Sequence, residues 1–481
     1  MIELIEFLGS RLRLTLTRTS SAQRQRRRRG HWALLAAVEA LEERAMLSAY
    51  TVTNLNDSGS GSLRGAIASA NAYPGADVIR FSPNLAGTIC LSSGQMEIVG
   101  ALDIDGPGMS RITVSGNNAS RVFKMGAGSD VSIDDLTIVN ARNSIQDDVG
   151  IIVTRGGAIL NDGGELHLTR VAMQNNRTIS PANGRASQVV GGGAVVNSGN
   201  ATLTATQCVF IGNTASGGTN YAFGGAIGNV TNSIANIKDC TFIGNLATAG
   251  GTSYGGAIGN FGGSQLTVTG STFDGNASRG TDTGQKAFGG AIATRPGTVV
   301  SSGSATTIDN SVFRNNQAVG ASASEPGHTG GDAGGGALYN IASTLVVQRS
   351  SFFGNAAIGG DGVSNGGNAY GGAIESTAVN PADPPITRIV QCQLVGNLAQ
   401  SGSSANGAGG LAAGGATYNA FGQMDLISSI VVGNSALGGR KGQGIGGGIY
   451  NLAIVNVSRI TLSGNTASTS NNNAYGPLAV V

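Results

Sequence analysis

The sequence predicts an all-β chain, a single-stranded parallel β-helix of about 12 coils with a short helical cap at its N-terminal end. Two observations lead there and a third excludes a rival. A Gly-Gly-Ala-Ile-like element followed by a Phe-x-x-Asn-like element occurs nine times between Gly156 and Asn465. Within a unit, apolar residues alternate with polar ones, as Leu266 and Val268 do in Gln265–Thr269, which is strand patterning with one buried face. Glycine accounts for 79 of 481 residues, yet without the three-residue period of collagen, so it serves corners and close backbone approach.

The opening pairs are read at Gly156, Gly192, Gly224, Gly255, Gly289, Gly335, Gly371, Gly414 and Gly447, each with the following glycine, 31 to 46 residues apart. A constant core with inserts of variable length describes stacked coils whose loops differ. The unit Gly255–Asn276 divides into three short strands separated by Gly, Asn and Ser corners, one triangular coil. Equivalent strands of successive units run the same way, so they pair in parallel at about 4.8 Å.

Taken in chain order, residues 1–48 hold nine of the 29 Lys and Arg, including Arg26–Arg29, against five of the 27 acids. A basic run, a short apolar stretch Trp32–Val38 and small residues near Ser48 have the layout of an export signal. The apolar stretch is too short to span a bilayer, and no transmembrane span is expected. Residues 49–155 read as a cap and first coils. Ser62 is a candidate helix cap for Leu63–Asn71, with Leu63, Ile67 and Ala70 on one face. Residues 156–467 are the nine-repeat array, and 468–481 are expected to fray.

Asparagines after the Gly-Gly strand (Asn161, Asn197, Asn229, Asn260, Asn340, Asn419, Asn451) and after the Phe strand are expected at left-handed corners, stacked into ladders. Thr294 and Ser376 interrupt the first ladder and are read, with Ala293 and Glu375, as local irregularities. Cys208, Cys240 and Cys392 share their position with serines two residues before the closing Phe, so a buried stack is expected. A Cys208–Cys240 disulfide is disfavoured because stacked strands hold side chains parallel. No Cys/His spacing suits zinc.

The combination of Gly-Gly-Ala-Ile with Phe-x-x-Asn resembles the passenger repeats of polymorphic outer-membrane proteins, over about two thirds of the chain. That resemblance implies a right-handed parallel β-helix exposed on a cell surface, with a role in adhesion. Leu41-Glu42-Glu43-Arg44-Ala45-Met46-Leu47 resembles the Leu-Glu-x-Arg-x-Leu-Leu motif of large exported planctomycete proteins, with Met46 at its sixth position. The segment from Thr51 to Asn71 is similar to the N-terminal cap of many extracellular β-helix proteins. Together these imply an extracellular or cell-envelope location.

Parallel β-helices also carry polysaccharide lyases and glycoside hydrolases of the pectin-lyase-like fold, which makes the acids candidate catalysts. The adjacent pair Asp134–Asp135 resembles the Asp-Asp of polygalacturonases, without their Gly-His-Gly and Arg-Ile-Lys partners, and a polar corner is expected. Asp239, Asp274, Asp309, Asp332, Asp361 and Asp425 are read as scattered singly. His167 is read as solvated and His328 as a loop residue. Gly330-Gly331-Asp332 and Gly359-Gly360-Asp361-Gly362 resemble calcium-binding nonapeptides only in part, so calcium is the one cofactor considered and none is expected. The basic excess lies in the N-terminal segment, so no nucleic-acid partner is expected. Tyr339, Tyr418 and Tyr450 are placed outward by alternation and are the candidate ligand-binding residues; Phe223, Tyr254, Phe288 and Tyr370 form a second column. The expectation is a monomeric rod, an exported surface or adhesion module binding a polysaccharide or surface protein without catalysis. The alternative is a carbohydrate-active enzyme.

Overall fold

The computed structural model describes residues 48–481 except 74, 145–152, 181–188, 298–302, 379 and 381. The export segment and the Leu41–Leu47 motif therefore lie outside the described residues, apart from Ser48, which opens the first strand. Among the described residues the chain forms five all-parallel sheets of 14, 12, 12, 10 and 9 strands and one α-helix, Leu63–Ala70.

One coil shows the path. Ile258–Phe261 lies in a first wall, Gln265–Thr269 in a second and Thr272–Asp274 in a third. Ala277–Gly280 and Ala287–Phe288 then form a two-layered flange before the chain returns to the first wall at Ile292. Every strand pairs with its counterpart one coil away. The architecture is the right-handed parallel β-helix expected, the hand that parallel crossover connections adopt in about 98% of cases. Ile258, Leu266, Val268 and Phe273 point between the three walls and are fully or almost fully buried.

The flange corrects the expectation of three strands per coil. Its strands alternate in period two, but the inward residues are Ala and Ser, easily taken for loop composition. Ala318, Ala333, Ala357, Ala369, Ala399, Ala412 and Ala436 form a small core of their own between the two layers. Methyl-sized side chains let those layers approach closely.

Two kinds of ladder hold the coils in register. Phe210, Phe242, Phe273, Phe313 and Phe352 stack with centroids 4.6–4.9 Å apart and nearly parallel planes. Each contributes about 1.5–3 kcal/mol by burial. Beside them Asn276 Nδ2 donates to Asn316 Oδ1 at 2.9 Å and to the Phe242 carbonyl at 3.0 Å. Its own Oδ1 accepts from the Asn245 backbone N–H and Nδ2. This pattern runs from Asn176 to Asn465 without a break. The asparagines of this ladder are not the left-handed residues; the residue before each one is, as at Asn175, Gly275 and Asn315, whereas in the ladder after the Gly-Gly strand the left-handed residues follow the asparagine, as at Gly163 and Gly199. Ladder formation needs the asparagine side chain turned inward, so the corner conformation falls one position earlier. The first glycine of each opening pair also has positive φ, +61° at Gly255, and a Cβ on the second, Gly256, would strike the Gly290 carbonyl. By register the ninth pair is Gly446–Gly447, one residue earlier than expected, because Gly446 is the positive-φ residue and Ile449 pairs with Thr417.

The cysteines behave as the buried stack predicts. Cys208 N–H donates to Cys240 Sγ, Cys240 N–H to Ser271 Oγ, and Ser271 N–H to Ser311 Oγ; all four cysteines are free thiols. The helical cap is as expected too: Ser62 Oγ accepts from Gly65 N–H at 3.0 Å, and Leu63, Ala66, Ile67 and Ala70 are buried. The tail differs from the expected fraying, since Ala474–Tyr475 and Ala479–Val480 extend the first and second walls.

Thr294 and Ser376 are compensated rather than irregular. Where Thr294 replaces an asparagine, Thr306 of the second wall replaces the apolar residue found at Leu266 and Leu345. Its hydroxyl accepts from Asn260 Nδ2 at 3.1 Å and bonds Thr294 Oγ1 at 2.7 Å. Thr387 does the same for Asn340 and Ser376. The residual cost is the Oδ1 of Asn340 and of Asn419, each left without a donor. We expect Thr306→Leu to destabilise by about 1–3 kcal/mol, the cost of unpaired buried groups. Adding Thr294→Asn should recover most of that loss. Urea unfolding of the two single variants and the double variant measures the coupling; additive losses would refute the compensation.

Candidate functional site

The outer face of the first wall meets the adjoining flange layer across a re-entrant angle, and aromatic residues fill it. In register along the wall run Gly228, Gly259, Ala293, Tyr339, Glu375, Tyr418, Tyr450 and Tyr475. Along the flange run Phe223, Tyr254, Phe288, Gly334, Tyr370 and Ala413. Large residues on one side face small ones on the other. A Cβ at Gly228 or Gly259 would press on the Phe223 ring. Rings cross the angle directly: Phe288 stacks on Tyr339 at 4.6 Å and Tyr370 lies 4.7 Å from Tyr418. Tyr418, Tyr450 and Tyr475 continue at 5.5 and 4.6 Å. Arg295 caps the Tyr254 ring at 4.9 Å.

This arrangement corrects the ligand-binding expectation for two of the three tyrosines. Tyr339 is 5% exposed and Tyr450 8%; Tyr418 is half-buried between Tyr370 and Tyr450. Alternation does turn them away from the main core, but the flange, unrecognised in the sequence, covers them. Ring surface stays open at Tyr221 and Tyr475, 49% and 37% exposed.

The aromatic strip is interrupted by a carboxyl. Glu375 is 4% exposed and occupies the space over Gly334, where a Cβ would overlap its Oε2. That oxygen has no hydrogen-bond partner. Burial, reinforced by the negative charge of Asp332 and only partly opposed by Lys286, holds its pKa well above the usual carboxylate range. Burial likewise raises the phenols of Tyr339, Tyr370 and Tyr418, with Glu375 contributing to each. At the rim, Lys286 Nζ lies 2.8 Å from Asp332 Oδ2, and Asp332 Oδ1 accepts from the Asn368 backbone N–H and Nδ2 at 2.9 and 3.1 Å. Sequence reasoning missed this cluster by treating Glu375 as an irregularity. The available signal was a lone carboxylate inside an otherwise aromatic column.

Asp134 and Asp135 lie on the second wall and its corner, with Asp135 at φ +54° as a polar corner requires. Asp135 binds Arg170 of the next coil through Oδ1 and Oδ2 at 2.8 and 2.5 Å. Asp134 is partly buried, which raises its pKa against the lowering hydrogen bond from Thr169. Register brings Asp105 beside Asp134 and Asp130 beside Glu165. His167 Nε2 lies 3.6 Å from Asp130, and the ligand atoms of Asp130, Glu165 and His167 lie within 4.8 Å of one another on the open surface. Of the calcium-like segments, Asp332 is taken by Lys286 and Asn368, and Asp361 Oδ1 accepts from Ser403 N–H.

No family model matches the sequence, and no curated protein matches it. Among solved structures, the chain is similar to the catalytic domain of a GH87 α-1,3-glucanase in complex with nigerose, at 12% identity and TM-score 0.33, covering 89% of this chain and 68% of that one. It is similar to tailspike protein 3 of bacteriophage CBA120, at 12% identity and TM-score 0.30, covering 84% and 59%. The A-module of an Azotobacter vinelandii mannuronan C-5 epimerase matches at 11% identity and TM-score 0.29, covering 89% and 100%.

The buried carboxyl gives a pH prediction. A raised folded-state pKa means that folding takes up a proton, so the contribution of Glu375 is fully present below about pH 4.3 and declines as pH rises toward the folded value. Glu375→Gln cannot ionise, so its stability relative to the parent should increase with pH, by at most about 1.4 kcal/mol per pH unit. Denaturation midpoints of both proteins from acid to mildly alkaline pH test this; a constant difference would refute it.

Proposed function

We propose that the chain is an exported, non-catalytic β-helix of the cell surface or surrounding medium that presents a long side for binding a polysaccharide or a surface protein. The observation that carries the non-catalytic reading is that four acids of the coils are each engaged by a base. Asp135 pairs with Arg170, Asp274 with Arg314, Asp309 with Arg349 and Asp332 with Lys286, each across neighbouring coils. These carboxylates tie coil to coil where an enzyme needs them free and convergent. Export rests on the basic run, the apolar stretch and the Leu41–Leu47 motif. The surface role rests on the repeat resemblance to polymorphic outer-membrane proteins. Among the described residues no helix is long and apolar enough to cross a membrane.

The carbohydrate-active alternative has one specific observation in its favour: on the second wall the ligand atoms of Asp130, Glu165 and His167 lie within 4.8 Å of one another, with Asp134 at the other end of the Asp130 strand. Incubating the purified protein with a panel of polyuronates and neutral polysaccharides, with and without calcium, separates the readings. The binding reading expects retention without new reducing or unsaturated ends, weakened at least about threefold by Tyr221→Ala with Tyr475→Ala, whose open rings can stack on sugar. Turnover abolished by Asp134→Ala would overturn it in favour of the alternative. Fractionation of the native cells tests export, and full-length protein confined to the cytosol would end that part of the proposal.

A further inference from the structure

We infer that Glu375 is a pH-sensitive latch on the seam between the first wall and the adjoining flange layer. Protonated, it lies closed over Gly334; ionised, it lets water between the two layers and uncovers the rings beside it. The seam is crossed by side chains. Strands of the wall and of the flange each pair with their own counterparts in neighbouring coils, and rings join one layer to the other, Phe288 on Tyr339 and Tyr370 on Tyr418. Between those two contacts both rings are missing at once. Gly334 stands between Phe288 and Tyr370 along the flange, and Glu375 between Tyr339 and Tyr418 along the wall. The carboxyl fills that gap, since a Cβ on Gly334 would overlap it and press on Phe288.

Such a plug holds in one charge state only. Glu375 is 4% exposed and its Oε2 has no donor, and enclosing an unpartnered carboxylate costs far more than enclosing a neutral carboxyl. The groups around it supply no free countercharge. Tyr339 and Tyr418 flank it on the wall and Tyr370 follows Gly334 on the flange, phenols that burial holds above their ordinary range. At the flange rim Asp332 adds negative charge, and Lys286 is already matched by Asp332 at 2.8 Å.

Linkage fixes the direction of the response. A hydrated Glu375 in the open seam loses its proton near the ordinary value of about 4.3, whereas the enclosed one keeps it to higher pH. Between those two values the opening equilibrium rises with pH, by at most about tenfold per unit, and above the closed-state value it levels off. The uncovered faces of Tyr339, Tyr370 and Tyr418 would extend the stacking surface that Tyr475 offers. That consequence rests on the polysaccharide-binding role proposed for the chain, whereas the opening itself does not.

Hydrogen exchange of the full chain, without any ligand, tests the latch from acid to mildly alkaline pH. The amides of residues 333–336 and 369–372 border the seam, with Gly335 N–H bonded to the Tyr370 carbonyl and Gly371 N–H to the Ala413 carbonyl. Their exchange in the parent, divided by that in Glu375→Gln at the same pH, should rise by up to about tenfold per unit above about pH 4.3 and then reach a plateau. The ratio cancels the intrinsic pH dependence of exchange. Glu375→Leu, a second variant that cannot ionise, should serve equally well as the divisor, and circular dichroism checks that both variants fold. Amides of Val312–Arg314 and Ser351–Phe353, on the third wall of the same coils, should keep a constant ratio. A constant ratio at the seam overturns the inference. So does a rise at the third wall in step with the seam, which is global unfolding rather than a latch.

Discussion

The structure depends on buried amides that can be satisfied only when successive coils stand in register. Each asparagine from Asn213 to Asn434 donates to the coil on one side through its ladder partner, to a carbonyl on the other, and accepts two bonds in return. A slip by one residue would bury several unpaired polar groups at about 1–3 kcal/mol each. Apolar burial drives the coils together without discriminating between registers; the ladder supplies the discrimination. Thr306 and Thr387 show how strict this is. Where the first ladder loses an asparagine, a hydroxyl from another wall takes over, and apolar core is given up to provide it.

The flange is built on a different rule, complementarity of size. Inside it, alanines face alanines. Outside it, Phe223 fills the space left by Gly228 and Gly259, and Glu375 fills the space left by Gly334. The aromatic residues therefore bind the flange to the first wall, and their ring faces are largely used on one another. Glu375 is the one carboxyl in the strip, its pKa raised by burial and by the negative charge of Asp332.

The second wall treats its polar residues differently. Asp105, Asp130 and Glu165 lie exposed, where water screens their interactions and exposed pairs contribute little. The Asp–Arg pairs at the corners likewise join neighbouring coils at small individual gain.

The sequence by itself determined the β-helix, the cap and the buried Phe, Asn and Cys/Ser stacks, because each is written in a single repeat with a strict period and large or polar residues mark the inward positions. Asp135 as a corner was equally legible. The flange was not, because Ala, Ser and Gly alternate there without the hydrophobic contrast that reveals a strand. Without the flange, alternation alone turns Tyr339 and Tyr450 outward and leaves Glu375 with no visible surroundings. Only the tertiary structure decided their burial, placed Glu375 over Gly334 and brought Lys286, Asp332 and Asn368 of successive coils together. Which residues of different coils become neighbours is set by register and by insert length, and a one-dimensional pattern does not carry the angle at which two sheets meet.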